Sequence, residues 1–435
     1  MLKRITTHDI EPTDLDVSLA PRLNLLAGDN GLGKTFLLDL AWWALTGTWA
    51  QQPAIPKRGE GVEPKIECEL EANQSDAKIA GSFDYYMQSW SHSEPLANRQ
   101  EVDPLTGRPR SRFDIYRQRL VVASRADGEF DILDSYRTSG PNRIPFGVSP
   151  WGPSSRFSLD TRAIWDGLVA DDGTTLCNGL IRDWVTWQYQ KPAVFDLFAR
   201  VLEKLSPHAE VIKPGAPRRI SIEDTRDIPT IVLPYGTVPV THASAGMRRV
   251  LSLAYVLVWT WYEHTEAARL MNVAPLKEMV LLIDEVEAHL HPTWQRVILP
   301  ALFDVFSEIE KSLHVQVLAS THAPLVLASV ETLFDEEKDK LHHFALRDHK
   351  IVVEDIGWVK QGDAVNWLVS ETFGLAQGRS REAERAIEAA EAFMRGAVTP
   401  SELDTRDKIH AELLRVLGGL DDFWPRWLVK TGIVK

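Results

Sequence analysis

Only two cysteines, Cys68 and Cys177, occur in 435 residues, and they sit in unrelated contexts. That is too few for a disulfide framework or a cysteine metal site, and it suits a reducing cytoplasm. Long apolar runs are also missing. The most apolar stretch, residues 250–262, is too short and too polar to span a bilayer, and the opening Met1-Leu2-Lys3-Arg4 leads into polar and acidic residues instead of an apolar signal core. A cytoplasmic protein with no membrane partner is the expectation. Nor is there an excess of basic charge: 48 Lys and Arg face 61 Asp and Glu, for a net charge of −13. Such a balance argues against a protein coated with nucleic acid, while a local basic groove stays compatible with it. No internal repeat or low-complexity tract stands out, and no segment sustains the heptads of a long coiled coil. With 44% hydrophobic and 25% charged residues the chain has the make-up of a globular protein, not a disordered one. Its length suggests about two to three domains, or one domain with large insertions.

What the chain does contain is Gly28-Asp29-Asn30-Gly31-Leu32-Gly33-Lys34-Thr35, directly after the apolar run 23–27 and directly before the helical-looking 36–43. A strand, a glycine-rich turn and a helix in that order match G-x-x-x-x-G-K-[ST] in the context its mechanism needs. The glycines let the backbone come close, so that N–H groups around Asn30, Gly31 and Gly33 wrap the phosphates of a nucleotide while the helix N-terminus adds partial positive charge. Lys34 then reaches the β and γ phosphates, and the Thr35 hydroxyl is a Mg²⁺ ligand. ATP and Mg²⁺ are therefore the expected cofactors.

Residues 3–7 and 15–19 read as strands ahead of the one that feeds this loop, and 65–71 with 78–86 read as a pair that builds an antiparallel sheet beside them. The second of that pair runs into Gln88, where a strand-end glutamine could touch Mg²⁺ or the attacking water. A loop of low hydrophobicity, 91–109, precedes a hairpin of 120–124 and 130–133 about Asp127-Gly128. Residues 135–160 are turn-rich, with Gly140-Pro141, Ser149-Pro150 and Gly152-Pro153. Helices follow at 179–189 and 194–205, with Trp184 and Trp187 on one core-facing side, then a strand pair at 219–222 and 230–233.

Ala243-Ser244-Ala245-Gly246-Met247 precedes a long apolar helix starting at 250, and a Ser-x-Gly turn at a helix N-terminus is a ready anion site. Further on, Val280-Leu281-Leu282-Ile283-Asp284-Glu285 reads as a buried strand ending in two acids. Asp284 would hold the Mg²⁺ shell, and Glu285 would orient and deprotonate the attacking water. A turn at 287–292 leads into a helix at 294–309, and a strand at 315–319 ends in Ser320-Thr321-His322. A histidine just past the carboxyl end of a parallel strand can hydrogen-bond a γ phosphate. No cysteine or additional acid stands at metal spacing from His289, His291 and His322, which disfavours zinc. Strands at 341–347 and 351–355 precede C-terminal helices. Ser380 caps one with an apolar stripe of Ala383, Ala386, Ile387, Ala390, Phe393 and Met394, and Ile409, Leu413, Leu414 and Leu417 form another.

Phosphate loop 28–35, Gln88, Ser244-Ala245-Gly246, Asp284-Glu285, the 287–292 loop and His322 stand in an order that resembles the ABC-type ATPases. Residues 283–292 followed by Trp294-Gln295 are similar to a soluble group within that superfamily, the overcoming-lysogenization-defect, Septu and retron-associated (AAA_21-type) defence ATPases, and more distantly to DNA-repair and chromosome-organising members. Glu371-Thr372-Phe373-Gly374-Leu375 followed by 379–384 looks like the tail of the Septu type. The likeness covers about residues 1–90 and 235–350. It implies an α/β fold. An ABC-type P-loop nucleotide-binding domain, with a mixed central sheet and an antiparallel β subdomain, would be built from 1–90 and 235–357, with an inserted α+β lobe at 91–234 and C-terminal helices at 358–435.

In that family the signature turn of one subunit completes the ATP site of a second. The resemblance thus implies a homodimer or higher oligomer, with Ser244 and Gly246 on the partner's ATP, Thr35, Gln88 and Asp284 at the Mg²⁺, and Glu285 and His322 at the water and γ phosphate. The signature departs from the family's Leu-Ser-Gly-Gly-Gln and keeps only the serine and the second glycine. No acid cluster of a nuclease and no His-Asn-His site occurs in the chain. The resemblance therefore implies a separate effector, a nuclease such as one of the HNH type, controlled in bacterial antiphage defence. Two alternatives stand beside it: a DNA-repair or chromosome-type ATPase acting directly on DNA, and a nucleotide-gated scaffold with little turnover.

Overall fold

Burial along the first strands shows how the chain divides into two sheets. In β1 (Leu2–His8) Leu2, Ile5 and Thr7 are buried among more exposed neighbours, a strand with one face on a core. It pairs antiparallel with β2 (Asp16–Ser18). By contrast β3 (Leu23–Gly28) is buried at every position, as a strand covered on both faces must be. The computed structural model describes residues 1–72, 75–91, 119–138, 146–149, 152–154 and 157–432. All but the first residue of the loop read at 91–109, and Gly140-Pro141 and Pro150 among the turns, lie outside the described residues.

From β3 the chain enters α1 (Lys34–Thr46), then β4 (Lys65–Ala72), β5 (Ser75–Asp84) and β6 (Ser89–Trp90). A hairpin of β7 (Leu120–Ser124) and β8 (Phe130–Asp134) follows, then β9 (Phe157–Leu159), α2 (Thr161–Asp166), α3 (Leu180–Gln190) and α4 (Pro192–Leu205). Strands β10 (Thr230–Leu233) and β11 (Gly236–Pro239) lead to the long α5 (Ala245–Met271). Then come β12 (Glu278–Ile283), α6 (Pro292–Ile309), β13 (His314–Ser320), α7 (Pro324–Val330), β14 (Asp339–Arg347) and β15 (Lys350–Ile356).

The smaller sheet runs β2-β1-β4-β5-β6 and is antiparallel; the larger is eight-stranded in the order β9-β8-β7-β12-β13-β3-β14-β15. Its centre is parallel from β7 through β12, β13 and β3 to β14, and antiparallel hairpins close both sides. The fold is therefore an α/β P-loop domain with a mixed central sheet and an antiparallel subdomain. Helix α1 joins the two sheets into one core: Leu37, Trp42 and Trp43 pack with Ile5, Ile66 and Cys68 of the small sheet and with Val121, Leu282 and Leu318 of the large one. Trp184 and Trp187 are buried against Phe198, with ring centroids 4.9 and 5.8 Å away, so they are core residues.

Two expectations change. The stretch 91–234 is not a lobe throughout, because the buried β7 pairs in parallel with β12 and carries β8 and β9 into the central sheet. Nor is 219–222 a strand. There the Ser221 hydroxyl accepts from the N–H groups of Glu223 (3.1 Å) and Asp224 (3.4 Å), a local turn that competes with a ladder. Strand β10 pairs instead with Lys213–Pro214 on one side and with β11 on the other.

Contacts divide the chain into two units, Met1–Lys360 and Gln361–Lys435. The second has its own core, in which α8 (Arg381–Arg395), α9 (Arg406–Val416) and α10 (Phe423–Thr431) bring together Ala386, Ile387, Ala390, Ile409, Leu413 and Trp427. Among the described residues no helix is long and apolar enough to cross a membrane.

Candidate active site

Parallel order places the carboxyl ends of β7, β12, β13 and β3 side by side: Ile283 stands opposite Ser124 on one side and Ala319 on the other, and Ser320 opposite Leu26. This is the edge where open α/β sheets bind ligands. The phosphate loop leaves β3 there. Gly33, at the N-cap of α1, has φ +94°, a left-handed conformation that suits glycine at the start of a helix whose free N–H groups can meet an anion; Gly31 shares it. Asn30, just before them, is exposed. The Lys34 ammonium is buried and donates to the carbonyls of Gly28 (2.9 Å) and Asp29 (2.7 Å). Burial pushes its pKa down to about 8, against the pull of Asp284, Asp29, Glu285 and Glu287.

Asp284 lies one residue past β12, and its carboxylate is shared. One oxygen accepts from the Thr35 hydroxyl (2.9 Å) and the other from the Ser320 hydroxyl (2.6 Å), while its N–H donates to the Ser124 carbonyl (2.8 Å). Ser320 in turn accepts from the Glu285 N–H (2.7 Å), which helps to hold Glu285 at φ +48°. A non-glycine residue there is strained, and such strain gathers at functional sites. Glu287 accepts from the Thr321 hydroxyl (2.8 Å) and from the His322 N–H, fixing the backbone on which His322 stands. Burial, and next the Lys34 charge, holds the His322 pKa below its usual range, so its imidazole is neutral at neutral pH. Lys34, Thr35, Asp284, Glu285 and His322 thus stand together at this edge. Ser320 and Glu287 were missed as holders of the acids and of His322; their signal was adjacency to Asp284-Glu285 and to His322.

A cavity of about 30 Å³ beside Thr35 and Asp284 is lined also by Gln51, Ser124 and Arg125. That is room for one water or ion. A hydroxyl and a carboxylate are hard oxygen donors of the kind Mg²⁺ takes, so the residues present fit that ion. Gln88 does not line this cavity. Asp84 ends β5 by accepting from the N–H groups of Tyr86 (2.8 Å) and Met87 (2.9 Å), so Gln88 falls in the exposed hairpin turn at φ +50° and its amide bonds back to the Tyr85 carbonyl.

Ser244 is the N-cap of α5, its hydroxyl accepting from the Met247 N–H (3.3 Å). At Gly246 an added Cβ would meet the His289 carbonyl at 2.9 Å, so glycine is needed for this turn to lie against the chain's own 287–292 loop. In that loop His291 caps α6, accepting from Thr293 N–H at 3.4 Å.

With this geometry in view, comparisons with known proteins add the following. A curated relative, "Retron Vc95 probable ATPase" of Vibrio cholerae serotype O1 biovar El Tor, is 45% identical over 51 residues, 12% of this chain and 9% of that protein. The match thus spans about a tenth of that relative's length. Among solved structures, the SMC head domain from Thermotoga maritima is 16% identical with TM-score 0.40, covering 82% of this chain and 99% of that one. The recombination mediator protein RecF is 12% identical with TM-score 0.38, covering 82% of this chain and 98% of that one. The AAA_21 family, described as "AAA domain, putative AbiEii toxin, Type IV TA system", matches residues 23–328, more than half of the sequence. The chain belongs to the AAA_21 family.

Proposed function

We propose that the chain is an ATP hydrolase whose site is made by Lys34, Thr35, Asp284, Glu285 and His322 and closed by the Ser244-to-Gly246 turn of a second copy. The observation that carries this reading is the Asp284 carboxylate, bridged between Thr35 of the phosphate loop and Ser320, with Glu285 held by that same Ser320. Mg²⁺, held by Thr35 and Asp284, would neutralise charge on the β and γ phosphates. Lys34 binds those phosphates from the loop side. Glu285 takes the proton of the attacking water on a carboxylate oxygen as the water oxygen adds to the γ phosphorus and ADP departs. His322, neutral, donates a ring N–H to a γ-phosphate oxygen from the backbone that Glu287 fixes.

Phosphate release by the purified chain tests this directly. Glu285→Gln is expected to lower kcat by about 10²- to 10⁴-fold while ATP still binds. It should also accumulate an ATP-bound dimer visible as a doubled mass in light scattering. Turnover at the wild-type rate would remove Glu285 from the role of base.

The family description and the relative's printed name support a place in antiphage defence, with ATP binding and dimer closure governing a separate effector such as a nuclease. Affinity capture of the tagged Glu285→Gln chain from its host with ATP present tests it. A stoichiometric partner bearing nuclease motifs is the expected outcome; recovery of the chain with DNA alone would point to an ATPase acting on DNA itself.

A further inference from the structure

One partly buried cation near this site has no part in the mechanism above. Arg249 stands one turn into α5, and its Nη2 donates to the Ser124 hydroxyl (3.0 Å). Its Nη1 is buried with no hydrogen-bond partner. A guanidinium nitrogen left without a partner in a protein interior is costly, as it also is at Arg119 and Arg125 of this chain, so packing alone is a poor reason for arginine at this position. The groups facing it are Phe130, whose ring centroid is 5.8 Å from the guanidinium carbon, the Asp127-Gly128 turn, and the acids Asp284 and Glu285. Its neighbour Arg248 lies over the Trp165 ring at 4.8 Å, which anchors the same helical turn to α2.

Ser124 is the other half of the observation. It is the last residue of β7, it is buried, and it lines the cavity beside Thr35 and Asp284. Its carbonyl holds the Asp284 N–H at 2.8 Å, so one residue receives Arg249 on its side chain and Asp284 on its backbone. It occupies the strand end beside the acidic strand, on the side away from β13, where a third element of the chain reaches the metal side of the site.

We propose that Arg249 is a positioning residue for the metal side of the chain's own nucleotide site: through Ser124 it fixes Asp284, and it ties the helix that starts at Ser244 to that carboxylate. The proposal rests on the ATPase reading, since it assigns Asp284 to the ion. Residues that orient a metal ligand without touching the ion commonly matter about 10- to 100-fold to metal affinity when removed.

The test uses the full chain and Mn²⁺ as a probe for Mg²⁺, with bound ion counted by electron paramagnetic resonance, alongside a fluorescent ATP analogue titrated in the presence of a chelator. Neither readout requires turnover. Arg249→Ala is expected to weaken Mn²⁺ binding to the ATP complex about tenfold or more while leaving metal-free nucleotide affinity as in wild type. Ser124→Ala should act in the same direction, and the double variant should be no worse than Arg249→Ala alone, as two members of one unit behave. Arg249→Lys is expected to recover only part of the loss, since one ammonium cannot reproduce the planar fork. Should Arg249→Ala fail to fold, Ser124→Ala and Arg249→Lys decide the matter in the same assay. Wild-type Mn²⁺ affinity in these variants, or strictly additive losses from Arg249 and Ser124, would overturn the positioning role and leave the ATPase reading standing. If the wild-type chain bound no ATP, or bound it equally well after Lys34→Ala, the ATPase reading would fall and this proposal with it.

Discussion

At the scale of single residues, Lys34 shows how burial and function meet. Its ammonium is desolvated among loop carbonyls, and burial brings its pKa to about 8. Phosphate must be met by the charged form, and a bound triphosphate raises the pKa of the group that pairs with it. Below about pH 8 the free chain already carries that charge, so ATP affinity is expected to be level there. As pH rises through 8, binding must take up a proton, and the apparent Kd for ATP should climb by up to about tenfold per unit until the pKa of the complex is reached. Equilibrium fluorescence titrations between pH 6.5 and 9.5 would show this; a flat profile would mean that Lys34 stays charged in the free chain. His322 lies on the other side of the same balance: burial and then the Lys34 charge both oppose its protonation, which suits the neutral donor role proposed for it.

Among the elements, helix α5 has the most to do at its first turn. Ser244 spends its hydroxyl on the Met247 N–H, so Ser244→Ala should cost about 1 kcal/mol of stability through lost capping alone. Ser244→Asp keeps a good cap and adds charge. It is expected to melt near the wild type while losing hydrolysis, because a carboxylate would face γ phosphate in a closed dimer. Calorimetry paired with phosphate release separates the two effects, and normal turnover in the Asp variant would take the turn out of the ATP site.

Element by element, the parallel centre was the most legible part of the fold. Residues 23–27, 280–283 and 315–319 are apolar runs ending in glycine, acids or Ser-Thr-His, and the structure turns them into β3, β12 and β13. Their side-by-side order needs long-range pairing, which no local window contains, so the place of β7 in the sheet was not visible. Gln88 was misplaced for a smaller reason: Asp84 stops its strand with an Asx turn two residues before Tyr86, a side-chain effect that alternation of hydrophobicity does not register. Ser124 and Arg249 left no motif at all. Their meaning comes from a hydrogen bond across 125 positions of sequence.

For the molecule as a whole, every group gathered at the site belongs to the unit Met1–Lys360, and the unit Gln361–Lys435 has a core of its own. A chain shortened to residues 1–360 is therefore expected to bind ATP with wild-type affinity and to melt cooperatively, checked by titration and calorimetry. Loss of nucleotide binding in that chain would show that the last 75 residues, Gln361–Lys435, support the site.

The close approach of Gly246 to the His289 carbonyl also has a meaning for inheritance. A side chain at 246 would push on the loop that begins at Glu287, the holder of His322 in the same chain, and in the dimer proposed above it would also present an altered surface to the second copy. In a cell making both alleles, one altered subunit would then spoil two sites of a mixed pair, so Gly246 variants should be dominant. Changes at Ala245, which is exposed in the single chain, should be closer to recessive.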